Sequence, residues 1–192
     1  TLVQPKVWLR LVQFFLYTGA EVTLGIWAYT LLTESRGVPA AAAGLWAGSY
    51  WALFTIGRML AGLYARRVGV NGLVLSSLAG GLLGSALLWW NIAPLANLAA
   101  VSMVGFFIAP VFPGLVSGTS RVVGARYAAN TIGMQMGAAG LGAASIPALM
   151  GVLARYISLE VIPLCLFVLF LLQVVMYALS LRPGQSALPI QA

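Results

Sequence analysis

Six stretches of the chain are apolar almost without interruption, and short polar or turn-forming gaps separate them. They run from about Val7 to Leu32, Ala40 to Tyr64, Asn71 to Trp90, Leu95 to Val116, Ala128 to Ala154 and Val161 to Leu181. A helix needs roughly 20 apolar residues to cross a bilayer's hydrocarbon core, and each stretch reaches that length. The gaps hold residues such as Arg36-Gly37-Val38-Pro39, Arg66-Arg67 and Asn91 to Pro94. The runs lack the alternation and the length of about ten residues that mark barrel strands. A helix also pairs its own backbone groups where no water can. The expected fold class is an all-α membrane protein with six transmembrane helices.

Composition points the same way. Hydrophobic residues make up 61% of the chain and charged residues 7%, against about 25% charged in soluble domains. Mean hydropathy is +1.00. The net charge of +7 would suggest nucleic acid in a soluble protein. Here the basic residues sit between apolar runs and read as topology signals, so no nucleic-acid partner is expected. With six spans, Lys6, Arg10, Arg66, Arg67, Arg121, Arg126 and Arg182 fall on one side, and Arg36 and Arg155 on the other. The positive-inside rule then makes both termini cytoplasmic. The expected location is the inner (cell) membrane of a bacterium. The opening Thr1-Leu2-Val3-Gln4-Pro5-Lys6 resembles a linker entering a helix, so a piece of a longer chain is expected.

An internal repeat runs through the six spans. Gly62-Leu63-Tyr64-Ala65-Arg66 and Gly151-Val152-Leu153-Ala154-Arg155 lie 89 positions apart, and Gly44 and Gly48 match Gly133 and Gly137 at that offset. Spans one to three (about 7–90) thus map onto spans four to six (about 95–181). Three is odd, so the second copy is inverted in the membrane. Small residues recur at four-residue steps in the second, third and fifth spans, which lets helix backbones approach closely. Static packing explains most of them; sliding of the fifth span, loosened by Gly140, Gly142 and Pro147, is the functional alternative. Pro110 and Pro113 interrupt the fourth span, since proline removes a backbone donor and kinks a helix.

Glu21 is the most informative residue. It lies 13 positions after Trp8, about 20 Å along a helix and past the middle of the span. A carboxylate at that depth is expensive and should face a polar cavity or a partner. Gln13, Tyr17, Glu21, Gly25 and Tyr29 fall at four-residue steps, a stripe able to hydrogen-bond and stack on a polar solute. Gln135, in a Gly-rich helix, is a further cavity candidate. Glu21 is also the candidate for proton coupling; a structural carboxylate capped by another helix is the alternative. Arg58 lies about 12 Å deeper than Arg66. It either snorkels toward the cytoplasm, binds helix-end carbonyls, or meets an acid from a partner domain; no acid of this chain is expected near it.

The chain has no His, one Cys and no Asp. That removes imidazole chemistry, internal disulfides and paired Asp residues for magnesium. No nucleophile elbow, HExxH, CxxC or Walker sequence is present. No enzymatic activity, metal or cofactor is expected.

The six-span layout, the inverted repeat and the segment Gly57-Arg58-Met59-Leu60-Ala61-Gly62-Leu63-Tyr64-Ala65-Arg66-Arg67 resemble the C-terminal half of a major facilitator superfamily transporter. Gly57, Arg58, Gly62, Arg66 and Arg67 match its cytoplasmic Gly/Arg motif, without the Asp of the fuller form. Tyr17-Thr18-Gly19-Ala20-Glu21, Gly25-Ile26-Trp27, Tyr50-Trp51 and Gly57-Arg58 further resemble the sugar (fucose/glucose) permease branch. The resemblance implies one six-helix half of a twelve-helix secondary transporter, moving a small polar solute by alternating access. The first, fourth and fifth spans would line the cavity. The second and fifth would pack against an N-terminal six-helix half or a second copy. A membrane scaffold without transport activity is the alternative.

Overall fold

The computed structural model describes residues 5–181. Residues 1–4 of the expected linker, and residues 182–192 with Arg182 of the charge count, lie outside the described residues. Helix α1 (Pro5–Thr30) continues into a π-helical turn, Leu31–Ser35. Helix α2 (Ala40–Trp90) has 51 residues, about 75 Å at 1.5 Å each and far beyond one crossing of about 30 Å. It is broken at Gly69, where φ is 72° and ψ 165°, a conformation that glycine reaches without a side-chain clash. Its two arms, 40–68 and 70–90, are the second and third spans. The expected Arg66–Val70 gap therefore shrinks to one glycine, because Arg66, Arg67 and Val68 extend the helix rather than ending it.

The fourth span is built in pieces: α3 (Pro94–Ile108), α4 (Val111–Ser117) and α5 (Thr119–Val123). Pro94 opens α3 in its first turn, where a missing N–H costs nothing. The run breaks at Ala109-Pro110 and continues helically past the expected end at Val116. Gly124, with φ 84°, turns the chain into α6 (Ala125–Tyr156), and α7 (Val161–Ser180) is the last span. All described helical elements are joined without any strand among the described residues. The long helices are apolar and long enough to cross a membrane, and with the break in α2 they give six spans. The protein is an all-α integral membrane protein, and its solvent at these faces is lipid.

The packing pairs the spans as an inverted repeat would pair them. The two most extensive helix pairs are α1 with α6 and α2 with α3. Exchanging span one with four and two with five converts one pair into the other. Glycine makes both crossings. Gly142 lies against the Phe15 carbonyl and Gly19 against Ile146; Gly57 lies against the Phe106 carbonyl and Gly105 against that of Tyr50. A Cβ at any of the four would collide with its neighbour. The crossing points correspond at close to the 89-position offset found in the sequence. The third and sixth spans pack on each other through α2 and α7. Between the spans lies a core whose largest fully buried side chains are Tyr17, Tyr50, Tyr177, Phe14 and Phe170.

Candidate functional site

Helix α1 carries Glu21 into a cluster assembled from three spans. The Tyr17 hydroxyl donates to the Ile108 carbonyl at 2.9 Å, and the Tyr50 hydroxyl donates to the Glu21 backbone carbonyl at 2.8 Å. Both tyrosines are fully buried. Arg58 Nε donates to the Ala109 carbonyl at 3.4 Å, while its guanidinium sits 4.5 Å from the Phe54 ring centroid. These carbonyls are accessible because the fourth span is broken there. Pro113 lacks the N–H that would bond the Ala109 carbonyl four positions earlier, and Pro110 the one that would bond Phe106. Of the alternatives for Arg58, contact with a helix-end carbonyl is present. The expectation that no acid of this chain lies near Arg58 is corrected: Arg58 and Tyr17 are electrostatic neighbours of the Glu21 carboxylate. Antiparallel packing of α1 on α2, with Gly25 against Trp51, brings them together.

The polar atoms of this region are not all satisfied. Glu21 Oε2, Thr18 Oγ1 and Gln13 Nε2 are buried and have no hydrogen-bond partner among the described residues. A buried polar atom without a partner costs on the order of 1–3 kcal/mol.

The five-residue stripe does not form one face. Residues four apart on an α-helix are rotated by about 40° from each other, so the row winds around α1. Gln13 and Tyr17 point into the bundle, Glu21 and Gly25 are half-buried, and Tyr29 is 44% exposed. Gln13 accepts from Arg10 at 3.3 Å. Gln135 is fully buried and exchanges hydrogen bonds with Thr119 of α5 at 3.0 and 3.1 Å. Since α1 and α6 run parallel with Phe15 level with Gly142, Gln135 is level with Trp8, about 20 Å from Glu21 along the axis. It holds the α5 piece of the fourth span to α6 and is not gathered with Glu21. Of the Gly/Arg segment, Gly57 is a packing glycine, and Arg58, itself exposed, reaches the Ala109 carbonyl. Gly62, Arg66 and Arg67 are exposed near the Gly69 break. Tyr50 is the residue that sequence reasoning placed only by resemblance; its role as the clamp on the Glu21 backbone needs the fold to be seen.

At the opposite end of α1, a second polar cluster forms. Glu160 accepts from Arg36 Nη2 at 2.8 Å, from Arg36 Nε at 3.1 Å and from Ser35 at 2.7 Å. Arg36 Nη2 also donates to the Leu88 carbonyl at 2.7 Å. The Arg36 guanidinium beside Glu160 holds its carboxyl below the usual range, against an opposing effect of burial. One arginine thus ties together the ends of spans one and three and the loop between spans five and six.

Two known proteins are similar to this chain. Bypass of stop codon protein 6 of Saccharomyces cerevisiae is 29% identical over 175 residues, 86% of this chain and 35% of that protein. Sodium-dependent glucose transporter 1 of Homo sapiens is 30% identical over 154 residues, 78% of this chain and 29% of that protein. The chain spans about a third of the length of the curated relatives it matches. No family model matches the chain.

Proposed function

We propose that this chain is one six-helix half of a major facilitator superfamily transporter, the C-terminal half, moving a small polar solute of sugar-like chemistry by alternating access. The observation that carries this reading is the Glu21 carboxylate: it lies at membrane depth, one oxygen has no partner, and Tyr17, Tyr50 and Arg58 surround it beside a broken span. Such a group binds hydroxyls, and it is the one carboxylate at depth able to couple solute to an ion, whether a proton or sodium. The likeness to a sodium-dependent glucose transporter supports the sugar-like solute. The reading sets both termini in the cytoplasm.

The open faces of α2 and α6 complete the proposal. Gly44 and Gly48 on one, and Gly133, Gly137 and Gly140 on the other, have nothing within 4 Å. Close helix contacts in lipid use such residues, and an N-terminal half or a second copy would sit there. The test is Glu21→Gln in the complete protein, with uptake measured in proteoliposomes. Uptake should fall at least about tenfold, a change of about 1.4 kcal/mol or more in transition-state stabilisation, with normal membrane insertion. Unaltered uptake with unaltered ion dependence removes Glu21 from the mechanism.

A further inference from the structure

Beside the Arg36–Glu160 pair lies a cavity of about 330 Å³, lined by Leu32, Ser35, Arg36, Val38, Asn91, Pro94 and Asn97. It opens where span one ends, span three ends and span four begins, 15 positions beyond Glu21 and so about 20 Å from it. Two of its side chains carry buried polar atoms with no hydrogen-bond partner among the described residues: Arg36 Nη1, a donor, and Asn97 Oδ1, an acceptor. The Arg36 side chain is 5% exposed and Asn97 3%. Native proteins leave few such groups unpaired. Both side chains are held in place. Arg36 is fixed through its other nitrogens by Glu160 and the Leu88 carbonyl. The Asn97 amide nitrogen donates to Asn91 Oδ1, and Asn91 itself is in the left-handed region with φ 49°.

We infer that this cavity is a second ligand site, separate from Glu21, that takes a molecule bearing several hydroxyl groups. The charge of Arg36 is already matched by Glu160, so the cavity does not call for an anion. It offers one donor and one acceptor at fixed positions, and a hydroxyl is the group that accepts from the first and donates to the second. The volume is about ten times that of a lone water, about 30 Å³, enough for a small polyol. Free polyols and the hydroxylated headgroups of lipids share this chemistry.

Amide hydrogen exchange separates the two sources. The complete protein is placed in phosphatidylcholine nanodiscs, whose headgroup has no hydroxyl, and exchange is followed in peptides covering 32–38 and 91–97. Glucose and myo-inositol are the free probes; phosphatidylglycerol and phosphatidylinositol, substituted into the disc, are the lipid probes. A bound ligand at about twice its Kd suppresses local opening about threefold, and that slowing is the expected result for at least one probe. It should persist in Glu21→Gln, which leaves this cavity untouched, and vanish in Asn97→Leu and in Arg36→Lys. The lysine retains a cation for Glu160 but loses the fork that places Nη1. Slowing by the free probes assigns a solute; slowing by the lipids alone assigns a headgroup. No slowing with any of the four probes, or equal slowing in both cavity variants, overturns the inference and leaves the cavity to water. Loss of Glu21-dependent uptake bears on the first site only.

Discussion

The first and fourth spans occupy equivalent places in the two repeats, yet they solve the membrane differently. At the 89-position offset Glu21 corresponds to Pro110. The first span keeps an unbroken helix through this level and puts a carboxylate there. The fourth gives up its helix there and offers bare carbonyls. Side chains of the first repeat then fill the gap: Tyr17 reaches Ile108 and Arg58 reaches Ala109. Spans one and two thus supply side-chain chemistry and the fourth supplies backbone acceptors. Both lie at one level of the bundle, where Tyr17 and Arg58 meet the Ile108 and Ala109 carbonyls.

The largest test of this comparison is whether the crossings are as equivalent as they look. Gly142→Leu and Gly57→Leu each drive a side chain into a facing backbone carbonyl. Overpacking of this kind costs about 1–3 kcal/mol or more, and against backbone the upper end applies. Both variants should lose monodisperse protein in fluorescence-detected size exclusion. Gly133→Leu and Gly44→Leu, on open faces, should leave the unfolding temperature of the six-helix unit close to the parent's. Equal damage at open and closed glycines would mean that the two crossings are not what holds the repeats together.

A second test asks whether the carboxylate and the broken helix do different jobs. Pro113→Ala restores the N–H that would bond the Ala109 carbonyl in a continuous helix, which withdraws the acceptor of Arg58. Uptake should fall severalfold through its maximal rate, with the solute's half-saturation concentration nearly unchanged. Glu21→Gln should lose more, and in half-saturation as well. Identical profiles for the two variants would collapse the distinction between the spans.

How much of this was legible beforehand follows from range. The spans could be read because apolar run length is a local property, and so could the repeat, because Gly44, Gly48 and Gly62 recur as Gly133, Gly137 and Gly151. The depth of Glu21 came from counting residues along one helix. What the sequence withheld is azimuth and partnership. The four-residue stripe looked like one face, but 3.6 residues per turn carries it from the buried Tyr17 to the exposed Tyr29. Gln135 looked like a cavity residue because glycines surround it, yet its partner Thr119 sits on the short α5 piece beyond the expected end of the fourth span. Arg58 looked unpaired because no acid is near it in the chain; its neighbours come from the first and fourth spans. Arg36 and Glu160 pair across 124 positions, and nothing local announces it.

A smaller effect is expected at Tyr17. Tyr17→Phe keeps the ring against Phe112, whose centroid is 6.4 Å away, and removes the bond to the Ile108 carbonyl. The net value of such a bond is about 1 kcal/mol, so the unfolding temperature should drop by a few degrees. The same deletion at Tyr50 removes a bond within the first repeat rather than between repeats. If the break in the fourth span depends on Tyr17, uptake suffers in Tyr17→Phe more than in Tyr50→Phe, although the two lose similar stability.

The smallest effect lies at the far end of the first span, where the Arg36–Glu160 pair binds the repeats to each other. Glu160 is held below the ordinary carboxylate range, chiefly by its hydrogen bond from Arg36. A carboxylate with a lowered folded-state pKa stabilises the fold above its unfolded value, about 4.3, and that contribution is lost as pH falls through the folded value. The pair should therefore be intact at pH 7 and weaken only below about pH 4.3. Partly exposed pairs are worth about 0–1 kcal/mol, so the unfolding temperature should change by little. Glu160→Gln should show a lower unfolding temperature than the parent at pH 7, and the two should converge in strong acid. Convergence already near pH 6 would assign the pH response to another group. A constant difference down to strong acid would show that Glu160 contributes through its contacts with Ser35 and Arg36 as a neutral acceptor, leaving the join between the repeats to the glycine crossings alone.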